Sequence, residues 1–167
     1  MQDNIIVKPS VEKQFDRFLR QGRVLFFSAP CGFGKTAVAE ALLSSREVLR
    51  LPAGSAGFKL PSAEADWQIL LLDDLQDMQE EQDWNALCEL IRACPERRFV
   101  LLSRGTPPGS LMAFQYTGLM TVLEADDLLF DADDVRRLFQ LSGANVTDSE
   151  IDGILKESVG YPLGVAI

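Results

Sequence analysis

The sequence predicts an α/β fold: a mostly parallel five-stranded sheet with helices on both faces, followed by the start of a small helical subdomain. Apolar runs too short for helices alternate with stretches of helical periodicity, the pattern of successive strand-helix crossovers. Runs such as Val24-Leu25-Phe26-Phe27 and Ile69-Leu70-Leu71-Leu72 are continuously apolar, as strands covered on both faces are. After about residue 126 only helical patterns remain, which predicts a division into 1–126 and 127–167.

In chain order, Ser10 is a candidate cap for a helix over 11–20, whose stripe is Val11, Phe15, Phe18 and Leu19. "RVLFFS" (23–28) is the first strand, and "KTAVAEALLSS" (35–45) has alanines and leucines at helical spacing. "EVLRL" (47–51) is a weaker strand, and the Pro- and Gly-containing segment 52–65 after it is long for a compact domain, which marks it as mobile or functional. "WQILLLDD" (67–74) is the third strand. The helix at 80–94 carries Trp84, Leu87, Cys88 and Ile91 on one side and stops at Pro95. "RFVLLSR" (98–104) is the fourth strand and 121–123 the fifth. Segments 131–143 and 147–160 each run from an acidic start to a glycine.

Composition narrows the function. The 167 residues suit one domain, or one domain and the start of another. Sixteen basic against 25 acidic side chains give a net charge of −9, so non-specific binding to a phosphate backbone is disfavoured and any DNA contact belongs elsewhere. No run of about eighteen apolar residues would cross a bilayer, and the opening "MQDNIIVKPS" lacks the plan of a signal peptide, so a cytoplasmic location is expected. Cys31, Cys88 and Cys94 form neither an even disulfide set nor a metal-ligand spacing. The absence of histidine excludes Ser-His and Cys-His nucleophiles within the chain.

Ligands of such sheets bind beyond the carboxyl ends of the strands. After the first strand, Ala29-Pro30-Cys31-Gly32-Phe33-Gly34-Lys35-Thr36-Ala37 fits a phosphate-binding loop with alanine at its first glycine position. Gly32 and Gly34 allow backbone angles that turn successive N–H groups toward one anion, and the helix that follows adds its positive end. Lys35 can reach the β- and γ-phosphates of a nucleotide, and the Thr36 hydroxyl can ligate Mg2+. Asp73 offers a hard oxygen to the same ion, and Asp74 can orient or deprotonate the attacking water. The plainer reading is that both aspartates cap the next helix. Arg104, after the fourth strand, can distinguish triphosphate from diphosphate through a planar donor fork, unless it is a surface arginine. Cys31 opens a redox reading beside that of a small residue at a variable position.

With "SAPCGFGKT", "ILLLDD", "VLLSRGTPP" and "VGYPLGVAI" in this order, nearly the whole chain resembles the STAND class of signal-transduction ATPases. Within it, the ATP-binding (NACHT/NB-ARC-like) domain of large LuxR-family transcriptional activators related to the maltose-regulon activator is the nearest likeness. "MTVLEADDLLFDADDVRRLF" is similar to that family's short strand, Asp-Leu pair and acidic helix start. The resemblance implies an adenine nucleotide with Mg2+ as cofactors, contacts from Gly160, Tyr161 and Pro162, and adenine packed on Ile5, Ile6 and Val7. It also implies self-association of the full-length protein when ATP-bound, and DNA contact through a C-terminal domain absent here. Two departures stand out. An arginine often found beside the adenine is missing, Lys8 being the nearest basic residue, and only "PAGSAGFKLPSAEAD" stands where the family carries a longer helical stretch. "PLGVAI" reads as the first turn of a helix, so a longer parent is expected.

The leading expectation is therefore a slow ATPase acting as a switch, with Lys35, Asp74 and Arg104 as its catalytic residues. The alternative is an interaction module in which ADP or ATP is a structural ligand. A small-molecule kinase or an AAA-type motor, with Arg97 and Arg98 as contacts in trans, is a third class.

Overall fold

The structure, a computed structural model, describes residues 5–162. Strands β1 (Val24–Ser28), β2 (Val48–Pro52), β3 (Ile69–Asp73), β4 (Arg98–Ser103) and β5 (Met120–Glu124) form one sheet in the order β2-β3-β4-β1-β5. Every pairing is parallel. The continuous apolar runs follow from alternation onto two covered faces. Phe26, Leu70, Leu72 and Leu101 enter one core, while Leu25, Phe27, Leu71 and Leu102 enter the other. Each such buried side chain contributes about 1.5–3 kcal/mol relative to exposure.

Helices α1 (Pro9–Gln21) and α2 (Lys35–Leu43) cover one face through Val11, Phe15, Phe18, Val38, Ala39 and Leu43. Helices α3 (Glu81–Ala93) and α4 (Met112–Tyr116) cover the other through Leu87, Cys88, Ile91 and Phe114. Ser10 is not the cap of α1. The helix starts at Pro9, with Lys8 in the cap position, because proline lacks the N–H that the first turn leaves unpaired and its fixed φ suits that turn. Strand β2 lies one residue later than expected and ends in Pro52, which is tolerated because β2 is an edge strand.

The long segment after β2 is anchored. Phe58, Leu60 and Ala63 pack on the larger core, the Ala53 N–H donates to the Asp73 carbonyl at 2.8 Å, and the Trp67 indole donates to the Ser62 carbonyl at 3.0 Å. Arg97 and Arg98, the candidate contacts in trans, stand where β4 begins, at the edge opposite the strand ends that carry the aspartates. There Arg97 stacks 4.2 Å over the Trp67 ring and donates to the Ala65 carbonyl. Cys88 and Cys94 are buried and free, and burial pushes the Cys88 thiol up.

After the short α5 (Ala125–Leu128), α6 (Ala132–Leu141) and α7 (Asp148–Ser158) pack around Val135 and Ile151. Both helices open with a reciprocal capping box, Asp131 with Asp134 and Thr147 with Glu150. The segment before α1 is tied to them: the Lys8 ammonium donates to the Leu129 carbonyl at 2.5 Å and to Asp134 at 2.7 Å.

Past α7 the backbone turns left-handed twice, at Val159 (φ 53) and Gly160 (φ 74). A Cβ on Gly160 would stand 2.7 Å from the Phe130 carbonyl oxygen. Gly160→Ala is therefore expected to cost about 2 kcal/mol and to lower the melting temperature by about 4–8 °C. Thermal unfolding followed by circular dichroism checks this, and an unchanged midpoint contradicts it. The helical turn expected at "PLGVAI" lies outside the described residues beyond Pro162, as do the first four residues. No helix among the described residues is long and apolar enough to cross a membrane.

Candidate functional site

The strand order decides the site. Because β4 lies between β1 and β3, the ends of these strands stand side by side, with the glycine-containing loop after β1, Asp74 after β3 and Arg104 after β4. The Ala29 N–H donates to the Ser103 carbonyl at 3.2 Å, which fixes the start of the loop after β1. Gly32 (φ 83) and Gly34 (φ 76) then curl the loop into α2 with Gly34 in its N-cap position, a conformation other residues adopt only with strain.

The Lys35 ammonium lies across this loop and donates to the Ala29 carbonyl at 2.5 Å and the Pro30 carbonyl at 2.9 Å. Burial pushes its pKa down, nearby Arg104 adding to this and Cys31, Asp73 and Asp74 opposing it. The ammonium must exchange these carbonyls for an incoming anion, which restores the partner charge that burial withholds.

The Thr36 hydroxyl donates to Asp73 Oδ2 at 2.9 Å, and Asp73 Oδ1 accepts the Asp74 N–H at 2.7 Å. Hydroxyl and carboxylate together offer hard oxygens that suit Mg2+. Among the described residues no group of three or more His, Cys, Asp or Glu side chains forms a metal cage. A divalent cation between Thr36 and Asp73 would therefore complete its shell with phosphate and water oxygens.

Asp74 sits in left-handed backbone (φ 57, ψ 38), a conformation that side chains adopt with strain. It stands ahead of the 3-10 turn Leu75–Asp77, makes no side-chain cap there, and is far in sequence from the start of α3 at Glu81. Its Oδ1 accepts from the Gln76 side-chain amide at 3.1 Å, and Gln76 Oε1 in turn accepts the Arg104 N–H at 3.1 Å. Gln76, which sequence reading passed over, thus links the ends of β3 and β4. Its only sequence signal is its place two residues after the paired aspartates.

These groups open onto a cleft of about 410 Å³, lined by Cys31, Gly32, Gly34, Lys35, Thr36, Ala37, Asp73, Asp74, Gln76 and Arg104. A second, apolar cavity of about 280 Å³ shares Gly32, Gly34 and Ala37 with it, and its other walls include Ile5, Ile6, Phe33, Phe130 and Pro162. Pro30 lines neither space and supplies only its carbonyl to Lys35. Val7 packs in the core below α1, and Lys8 points to α6. The Tyr161 hydroxyl donates to the Cys31 carbonyl, at 2.7 Å, and so meets the loop itself.

No protein-family description matches the sequence, and no curated protein matches it. Solved structures do. A RuvB protein of Thermotoga maritima superposes with a TM-score of 0.64 at 18% identity, covering 96% of this chain and 59% of that one. A Walker-type ATPase of Pyrococcus abyssi gives 0.63 at 12% identity, covering 98% and 67%. A signal-transduction ATPase with numerous domains and a tetratricopeptide-repeat sensor, from Pyrococcus horikoshii, gives 0.63 at 11% identity, covering 96% of this chain and 29% of that one. The chain has the fold of P-loop ATPases and spans between 29% and 67% of the length of these neighbours.

Proposed function

We propose that this chain binds ATP and ADP with Mg2+ and serves as a slowly hydrolysing switch module of a signal-responsive bacterial transcriptional regulator. One observation carries the reading: a cleft with a lysine, two aspartates and an arginine adjoins an apolar cavity through the shared residues Gly32, Gly34 and Ala37. A phosphate chain suits the first space and a purine the second. Lys35 meets the β- and γ-phosphates, Thr36 and Asp73 hold Mg2+, Asp74 orients water, and Arg104 reads the γ-phosphate.

Slow turnover rests on the likeness to switch ATPases; the Gln76 amide, which donates to Asp74 Oδ1, orients the carboxylate and leaves its other lone pairs for a water. Residues 1–126 form the nucleotide-binding domain, and 127–167 belong to a helical part that reaches the nucleotide through Pro162. The regulator role rests on the STAND and LuxR-family likeness of "VLLSRGTPP" and "VGYPLGVAI". In that role the ATP form of the full-length protein self-associates in the cytoplasm, and DNA is met by a domain outside this acidic segment.

A second reading, in which the nucleotide only joins the two parts of the chain, is favoured by the apolar cavity, which Phe130, Leu138 and Pro162 wall together with Gly32, Gly34 and Ala37. Mass spectrometry of the purified protein, followed by ATP and ADP titrations, separates the two. For the switch, Arg104→Ala is expected to weaken ATP binding about tenfold and to leave ADP binding unchanged. Magnesium-dependent turnover is expected to fall at least about tenfold in Asp74→Ala. Equal ATP and ADP affinities, unaffected by Arg104→Ala, would establish the structural-ligand reading instead.

A further inference from the structure

We propose that Tyr161 is a positioning residue for the phosphate loop, its hydroxyl setting the Cys31–Gly32 peptide so that the Gly32 N–H faces the cleft. This rests on the nucleotide reading above and adds to it a residue that acts on the loop from about 130 positions away.

The Tyr161 hydroxyl donates to the Cys31 carbonyl at 2.7 Å, and its ring lies 4.9 Å from the Phe33 ring, centroid to centroid, at 59°. Tyr161 thereby holds the residues on both sides of Gly32. In a trans peptide the carbonyl and the next N–H point in opposite directions. A hydroxyl that draws the Cys31 carbonyl outward turns the Gly32 N–H inward, toward the space that Gly32 lines with Lys35 and Thr36. Gly32 has a positive φ and no side chain, so its peptide is free to rotate unless something holds it.

The position of Tyr161 is itself enforced. Val159 and Gly160 are both left-handed, the Phe130 N–H donates to the Gly160 carbonyl at 2.8 Å, and the Tyr161 N–H donates to the Ser158 carbonyl at 3.0 Å. A β-branched valine in this region is a strained choice, and the turn it builds delivers the tyrosine to the loop. Because the contact joins the end of α7 to the phosphate loop, phosphate binding and the placement of 158–162 stabilise each other to the same extent.

Tyr161→Phe in the full chain keeps the ring and removes the hydroxyl. Calorimetric titrations are expected to show ATP and ADP affinities about fivefold weaker, with adenosine affinity unchanged and the melting temperature without nucleotide lower by no more than about 4 °C, the worth of one neutral hydrogen bond. ATP affinity equal to that of the wild type overturns the proposal. So does an equal loss for adenosine, which would make Tyr161 part of the base pocket, or a melting temperature without nucleotide lowered by more than about 4 °C, which would make the bond chiefly a fold contact. A wild-type chain that binds no ATP overturns the nucleotide reading itself, and this inference with it.

Discussion

Lys35→Ala is expected to lower the affinity for ATP about a hundredfold, because hydrogen bonds from a cation to phosphate are worth about 1.5–3 kcal/mol and every 1.4 kcal/mol is tenfold. The gross interaction is larger, but part of it is offset. The ammonium is bonded to the Ala29 and Pro30 carbonyls, and those bonds must be given up when it turns to a phosphate. Lys35→Arg is not expected to restore binding, since a planar fork replaces a compact ammonium inside a loop shaped around it. Adenosine, which carries no phosphate, should bind wild type and variant alike. Titration with ATP and adenosine checks both statements. An ATP affinity within threefold of the wild type would show that backbone N–H groups alone hold the phosphates.

The sheet was legible because its central strands are covered on both faces, which leaves an unbroken apolar run such as Val24 to Phe27 in the sequence. The loop was legible because Gly32, Gly34, Lys35 and Thr36 are local: four neighbours carry both backbone geometry and chemistry. Gln76 was not legible. Its amide has meaning only once β4 is placed beside β3, which brings the Arg104 N–H within 3.1 Å across 28 positions. Tyr161 could be marked only through family likeness, and the bond it makes is to a loop 130 residues earlier. The apolar cavity is non-local in the same way, drawing Ile5, Phe33, Phe130 and Pro162 from widely separated parts of the chain. Small boundary shifts had local causes that propensity ranks poorly, such as proline preferred over serine at the start of α1.

Asp134→Ala is expected to destabilise the chain by about 3 kcal/mol, the lower end of the cost of breaking a buried ion pair. Asp134 is 3% and Lys8 15% exposed at the side chain, so removal of the carboxylate leaves a largely buried ammonium. Its remaining partners are the Leu129 carbonyl and Asp131, which stands 3.7 Å away, and they keep the loss from being larger. The same carboxylate also accepts the Asp131 N–H at 3.0 Å in the capping box, so the start of α6 frays as well. A midpoint lower by about 6–12 °C is the expected reading, and a shift under about 2 °C would show that Asp131 takes over the pair. Acid should act on the same place. The Asp134 N–H, then Lys8, holds the Asp131 carboxyl below the usual aspartate value, so its contribution is complete above that value and is lost as pH falls through the lowered one. Function follows from which segment Lys8 anchors. It fixes the stretch that brings Ile5 and Ile6 to the apolar cavity, so Asp134→Ala should weaken ATP and adenosine together, whereas Lys35→Ala weakens ATP alone.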